Sequence, residues 1–219
     1  MITDHDLAVL AAATYDPHRA WDFWDGGVAH DSVAYGVTVV DGVPVVAFRG
    51  STALIDWRRD LDAWAEPKVN HPDLGPLHDG FFEGMEGAWE MVQQHIKPGS
   101  PWIVCGHSLG AARANIVAGL AAADGVSPAR KVLFGEPKSG FEELAAVTSR
   151  IPGASYRNGN EVAHDIVTDV PYYVPPLLAY VHDRPLTMVC CPPPPGSDLG
   201  IFAWHDSNLY VGALKGTSK

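Results

Sequence analysis

Gly106-His107-Ser108-Leu109-Gly110 sets a serine between two glycines, in a pattern suited to covalent chemistry. A serine hydroxyl is a weak nucleophile until a base takes its proton, and a histidine oriented by a carboxylate is a base able to do so. Small residues at 106 and 110 let a strand turn sharply into a helix and hold the Ser108 hydroxyl above the sheet edge, strained but exposed. Three such fixed positions recur by chance in roughly one chain in ten of this length. The surroundings narrow that chance, because the apolar run Pro101 to Cys105 comes before and the Ala-rich stretch Ala111 to Ala123 comes after.

An elbow of this kind takes its acid and then its histidine from later in the chain. Downstream of Ser108 stand His164, His182 and His205. His205 follows every candidate acid and precedes a helix expected over Asp206 to Leu214, so it is the favoured base; His182, in Tyr180-Val181-His182-Asp183, suits a loop near the site and stays open. Asp165, just beyond the strand-like Ala154 to Arg157, is the favoured acid. Glu161, Asp169 and Asp183 are its rivals, each equally readable as a solvated surface charge.

The elements that must position these groups follow from periodicity. Two apolar runs flank Asp41-Gly42 between Ala34 and Gly50, a pair suited to a tight hairpin. Phe81, Met85, Ala88, Trp89, Val92 and Ile96 recur at helical spacing up to Lys97-Pro98-Gly99, which predicts one helix before the central strand. Asp124-Gly125 ends the Ala-rich helix, and Lys131 to Gly135 supplies the next strand. A first amphipathic helix starts near Thr3 or Asp4. The alternation predicts an α/β architecture with a mixed central sheet and flanking helices, in a single domain over residues 1–219.

The composition excludes several partners. Fifteen Lys plus Arg against 26 Asp plus Glu give a formal net charge of −11, with no basic cluster to hold a phosphate backbone, so nucleic acid is not expected. The run Leu7 to Ala13 is too short to span a bilayer and lacks the basic flank of an export signal, so the chain reads as cytoplasmic, a processed secreted chain being the alternative. The three cysteines, two of them adjacent at 190 and 191, fit a reducing compartment, since ordinary disulfide geometry between neighbours is difficult. The ten histidines show no metal-ligand spacing, and neither metal nor cofactor is expected.

Together the motifs resemble the class 3, or fungal-type, lipases of the α/β-hydrolase fold. The resemblance runs through Val45 to Thr52, Asp56 to Leu61, His78 to Phe81, Gly106 to Ala111, Phe134-Gly135-Glu136-Pro137, Asp165 with Pro171, and His205 with Tyr210. It implies Ser108 as nucleophile, Asp165 as acid and His205 as base, with Ser51 and the Leu109 amide as the oxyanion hole. It also implies a short lid within 52–67, where Trp57, Leu61 and Trp64 face the acyl chain or pack as an ordinary helix. The expected substrate is a neutral ester or lipid, taken at an interface. Short-chain or polymer-directed esterase, phospholipase and non-catalytic binding protein are the alternatives. The chain departs from the family at His164, where an Asn is usual, and at Arg113, where a small residue would be ordinary.

Overall fold

Side chains of a strand alternate between the two faces of a sheet, so strands that are apolar at every position need cover on both sides. The computed structural model describes residues 1–16, 18–19, 21–27, 33–51, 69–171, 180–197 and 200–216. The expected lid, with Trp57, Leu61 and Trp64, lies outside them. The described strands are β1 (Phe23–Gly26), β2 (Ala34–Val40), β3 (Val43–Phe48), β4 (Val69–His71), β5 (Gly75–Leu77), β6 (Ile103–His107), β7 (Arg130–Phe134), β8 (Gly153–Asn158) and β9 (Thr187–Val189). The described α-helices are α1 (Asp4–Ala13), α2 (Asp79–Phe82), α3 (Met85–Gln93), α4 (Leu109–Ala123), α5 (Glu142–Thr148) and α6 (Ser207–Leu214), with 3-10 turns at Ile166–Asp169 and Gly200–His205.

One sheet has the order β1-β2-β3-β6-β7-β8-β9, and β4 pairs with β5 in a separate ribbon. The first three strands pair antiparallel, and every pairing from β3–β6 onward is parallel, which makes the sheet mixed as expected. Val45, Ala47, Ile103, Cys105, Val132 and Phe134 face α1 and α6, packing with Leu7, Leu10, Tyr210 and Leu214. Their neighbours Val46, Phe48, Val104 and Leu133 turn the other way, toward Trp89 and Val92 of α3 and Ile116, Val117 and Leu120 of α4. Each large side chain buried in this way contributes about 1.5–3 kcal/mol.

Local chemistry sets the element ends. Thr3 and Asp6 form a reciprocal capping box at the start of α1. Asp41 (φ 50°) and Gly42 (φ 79°) make the two-residue turn between Val40 and Val43. Gly125 (φ 74°) closes α4 with amide bonds from Gly125 to Ala122 and from Val126 to Ala121, a Schellman stop. The helix expected from Phe81 to Ile96 is instead two, because Gly84 adopts φ 75° between α2 and α3 while the apolar spacing runs on through the break.

Because β3, β6, β7 and β8 run parallel, their carboxyl ends open on one edge of the sheet, where ligands of open α/β sheets bind. Ser51, Ser108, Gly135 and Asp165 all follow those ends.

Candidate active site

The turn from β6 into α4 is possible only with glycines on both sides of Ser108. A Cβ on Gly106 would fall 2.2 Å from the Gly110 carbonyl oxygen, and one on Gly110 would fall 2.2 Å from that of Phe48. Ser108 itself has φ 61° and ψ −132°, a conformation that costs about 1–3 kcal/mol in a residue with a side chain. Its amide donates to the Phe134 carbonyl at 3.0 Å, which fixes the elbow against β7. The strain is as the sequence predicts, but the exposure is not: Ser108 is fully buried. Gly50 closes over it, so near that a Cβ there would lie 3.1 Å from the Ser108 Cβ.

Asp165 and His205, forty positions apart, meet below this elbow at the same edge. The His205 Nδ1 to Asp165 Oδ2 distance is 2.6 Å, and both side chains are fully buried. The Tyr210 hydroxyl donates to the same oxygen at 2.5 Å, and the Val167 amide donates to Asp165 Oδ1 at 3.0 Å. Burial alone would raise the pKa of this carboxyl; His205 and Tyr210 outweigh it and hold the group below the usual carboxylate range. Asp165 therefore stays charged and keeps the His205 Nδ1 protonated, leaving Nε2 as the basic nitrogen. Among the described residues, neither the buried His205 Nε2 nor the buried Ser108 Oγ has a hydrogen-bond partner.

Three further groups position this pair, and periodicity gave no sign of them. His107, inside the elbow, lies between the Tyr15 hydroxyl (2.9 Å from Nδ1) and the His205 carbonyl (2.8 Å from Nε2). Burial depresses its pKa to about 3, so the ring is neutral. A carbonyl only accepts, so Nε2–H donates to His205 and Nδ1 accepts from Tyr15. Gly135 (φ 59°) leaves room for both side chains, since a Cβ there would fall 2.6 Å from Asp165 Oδ2 and 2.9 Å from His205 Cε1. Asn158, at the end of β8, binds four segments. Its carbonyl accepts from the Asp165 amide, and its amide donates to Tyr210. Its side chain bonds both the amide and carbonyl of Cys191 and the carbonyl of Trp204.

Ser51 directly follows Gly50, which lies against Ser108. Leu109 opens α4, where first-turn amides have no acceptor within the helix. The rival residues lie elsewhere. His182 Nε2 bonds the Thr168 carbonyl at 2.8 Å, and His164 Nε2 bonds Asp169 at 2.8 Å. Asp169 also accepts from Arg157, Asp183 is bound to Lys131 and Arg184, and Glu161 is exposed. A cavity of about 1170 Å³ opens beside Val43, Ile103 and Arg130, at the opposite ends of the strands.

A mostly parallel sheet under flanking helices, with a serine on a strained strand-to-helix turn, defines an α/β-hydrolase fold. The same fold is found in solved lipases: Rhizomucor miehei lipase in its propeptide complex (TM-score 0.65, 21% identity, 84% of this chain and 66% of that one), Rhizopus niveus lipase II (0.65, 19%, 85% and 79%), and the mono- and diacylglycerol lipase of Aspergillus oryzae (0.64, 22%, 88% and 82%). Residues 45–174 match the lipase (class 3) family, and the chain belongs to it. A relative from Fusarium solani, named secreted mono- and diacylglycerol lipase 1, is 30% identical over 151 residues, 64% of this chain. The match spans 42% of that relative's length. Among the described residues, no helix is long and apolar enough to cross a membrane.

Proposed function

We propose that this chain is a lipase that hydrolyses the carboxylic esters of acylglycerols, with Ser108, His205 and Asp165 as its triad. His205 Nε2 takes the Ser108 proton as Oγ attacks the ester carbonyl, and Asp165 holds the imidazole in the required tautomer. The amides of Ser51 and Leu109 receive the developing oxyanion. His205 then returns its proton to the departing alcohol, which leaves an acyl-enzyme on Ser108. Attack by water, with His205 again as the base, releases the acid. None of these steps calls on a metal or an organic cofactor.

The observation that carries this reading is the pair of buried atoms left without partners, Ser108 Oγ and His205 Nε2, at the end of a charge-stabilised Asp165–His205 bond. Other buried atoms here also lack a hydrogen-bond partner, the Tyr35 hydroxyl, His182 Nδ1 and Asp183 Oδ1 among them, but at this edge a serine hydroxyl on a strained turn and the free nitrogen of a carboxylate-held histidine stand open together, which favours chemistry over structure. The acylglycerol substrate is supported by family membership and by the name of the Fusarium relative. The single domain, and a short lid within 52–67 with Trp57, Leu61 and Trp64, stay part of this reading on the family resemblance alone.

The test is fluorophosphonate labelling followed by kinetics. The wild-type protein takes the label on Ser108 and turns over p-nitrophenyl esters; Ser108→Ala does neither, with turnover down by about 10⁶. Label found on another serine overturns the assignment. Rates that rise with acyl length and climb above the substrate's solubility limit support a lipase. Rates highest on short soluble esters assign an esterase instead.

A further inference from the structure

The thiols of Cys190 and Cys191 have no part in the machinery above, yet the Cys191 backbone is tied into it through Asn158. Cys190 is exposed and Cys191 is half-buried, and both are free thiols. The peptide joining them carries the Cys191 N–H, which donates to Asn158 Oδ1 at 2.9 Å. The same Asn158 side chain holds the Cys191 carbonyl at 3.0 Å and the Trp204 carbonyl at 3.1 Å, and Trp204 immediately precedes His205. The Cys191 thiol faces α6, where a Cβ on Gly212 would fall 3.1 Å from its sulfur. Tyr210, which binds Asp165, lies two positions earlier on that helix. The segment carrying this pair therefore touches both the strand end that supports the base and the helix that supports the acid.

We propose that Cys190-Cys191 is a redox modification site, a dithiol that hydroperoxides convert to a vicinal disulfide and so slow the enzyme. The effect on turnover rests on the triad proposed above; formation of the disulfide does not. The exposed Cys190 thiolate attacks the peroxide O–O bond, takes one oxygen as a sulfenic acid and releases hydroxide. The Cys191 thiolate then attacks the Cys190 sulfur, the S–S bond forms and the sulfenic oxygen leaves as hydroxide, which is protonated to water. In sum, two thiols lose two electrons and two protons while hydrogen peroxide becomes two waters. Neighbouring Cα atoms stand about 3.8 Å apart, below the usual disulfide span of about 4.4–6.8 Å, so the eight-membered ring is strained and readily reduced. Closing that ring twists the very peptide whose N–H is held by Asn158. The Asn158 clamp on Trp204 loosens, and His205 loses alignment with Ser108. Misalignment of a catalytic group by about 1 Å costs up to about 10²-fold in rate.

The experiment treats the reduced protein with hydrogen peroxide and follows ester turnover, fluorophosphonate labelling and a non-reducing peptide map, then adds dithiothreitol. Expected is a peptide lighter by two hydrogens with an internal 190–191 bond, turnover and labelling lower by at least about tenfold, and full return on reduction. Dithiothreitol does not restore methionine sulfoxide, so recovery separates the disulfide from damage at the exposed Met188. Cys190→Ser keeps the activity of the reduced wild type and is indifferent to peroxide. The buried Cys105 stays reduced throughout, its thiol pushed up to about 12 by burial. Three results would each overturn the proposal: a map with no 190–191 bond after treatment, a bond that leaves turnover unchanged, or a Cys190→Ser protein that loses activity like the wild type. Because the map does not depend on turnover, a protein inactive from the outset fails the proposed function and not the thiol chemistry.

Discussion

Around Asp165 and around Lys131 the chain buries charge in two different ways. Lys131 and Asp183 have fully buried side chains, and Lys131 Nζ donates to Asp183 Oδ2 at 2.8 Å and to the Asn115 side chain. Arg184 adds two bonds to the same Asp183 oxygen and also ties the Thr148 and Ile151 carbonyls. Burial alone would push the Asp183 carboxyl up, and Lys131 and Arg184 reverse that and hold it down. The charges of this cluster point at one another and join α4, α5 and β7. At the other site Asp165 is just as firmly held, but the chain of bonds runs outward and stops at His205 Nε2. Burial and ion pairing are common to both, so neither distinguishes a reactive site from a structural one. An unpartnered atom is common to both as well, Asp183 Oδ1 in the one and His205 Nε2 in the other; the difference is that the second is a basic nitrogen with a serine hydroxyl, also unpartnered, at the same edge.

Substitutions should divide along that line. The largest effect after loss of the nucleophile is expected for Asp165→Asn, which should lower kcat by about 10⁴ through the wrong histidine tautomer, while His182→Ala keeps most of its rate. Steady-state kinetics on a soluble ester measures both, and equal losses would move the base to His182. Lys131→Met should instead cost up to about 3–5 kcal/mol of stability, since Arg184 alone then remains to hold the buried Asp183. Urea denaturation reads that loss, kcat per folded molecule stays unchanged, and adding Asp183→Leu recovers much of the stability.

Tyr210→Phe belongs to both categories. It removes a donor from Asp165 and leaves the Asn158 amide without its acceptor, so a loss of about 1–3 kcal/mol should accompany a fall in kcat with KM unchanged. The last expectation is a pH slope. His107 binds its proton with a pKa of about 3 in the fold against 6.5 as its ordinary value, so between these limits the unfolded chain holds the extra proton. Stability should therefore be complete above pH 6.5 and fall as the pH drops toward 3, by about 1.4 kcal/mol per pH unit. Asp165 acts in the same direction, but only below its ordinary pKa of 3.8. Thermal melts across pH 3–7 on wild type and His107→Gln measure the slope, which the substitution should flatten.

The residues proposed for the triad could be named from the sequence because such chemistry restricts both type and order. Ser108 stood out through Gly106 and Gly110, and His205 and Asp165 through their places after the elbow. Much of the sheet was legible too, since the runs at Val43–Phe48, Ile103–His107 and Arg130–Phe134 are apolar and short. The groups that position the site were less so. Tyr15 acts from 92 positions away, and the Asn158 side chain bonds the main chain of Cys191 and Trp204, partners 33 and 46 positions off that no spacing marks. The short strands β1, β4, β5 and β9 carry too few residues for a period to emerge. The break at Gly84 was hidden because the apolar residues keep their spacing across it.

Gly135 has a consequence for anyone who would reshape this catalyst. Its missing side chain is the space that Asp165 and His205 occupy, and even a methyl group there would meet both. A mutational library should find this position shut to every other amino acid, as it should Gly106 and Gly110. Laboratory evolution of a new acyl preference would then proceed by changing the walls around a reaction centre whose geometry is inherited unaltered.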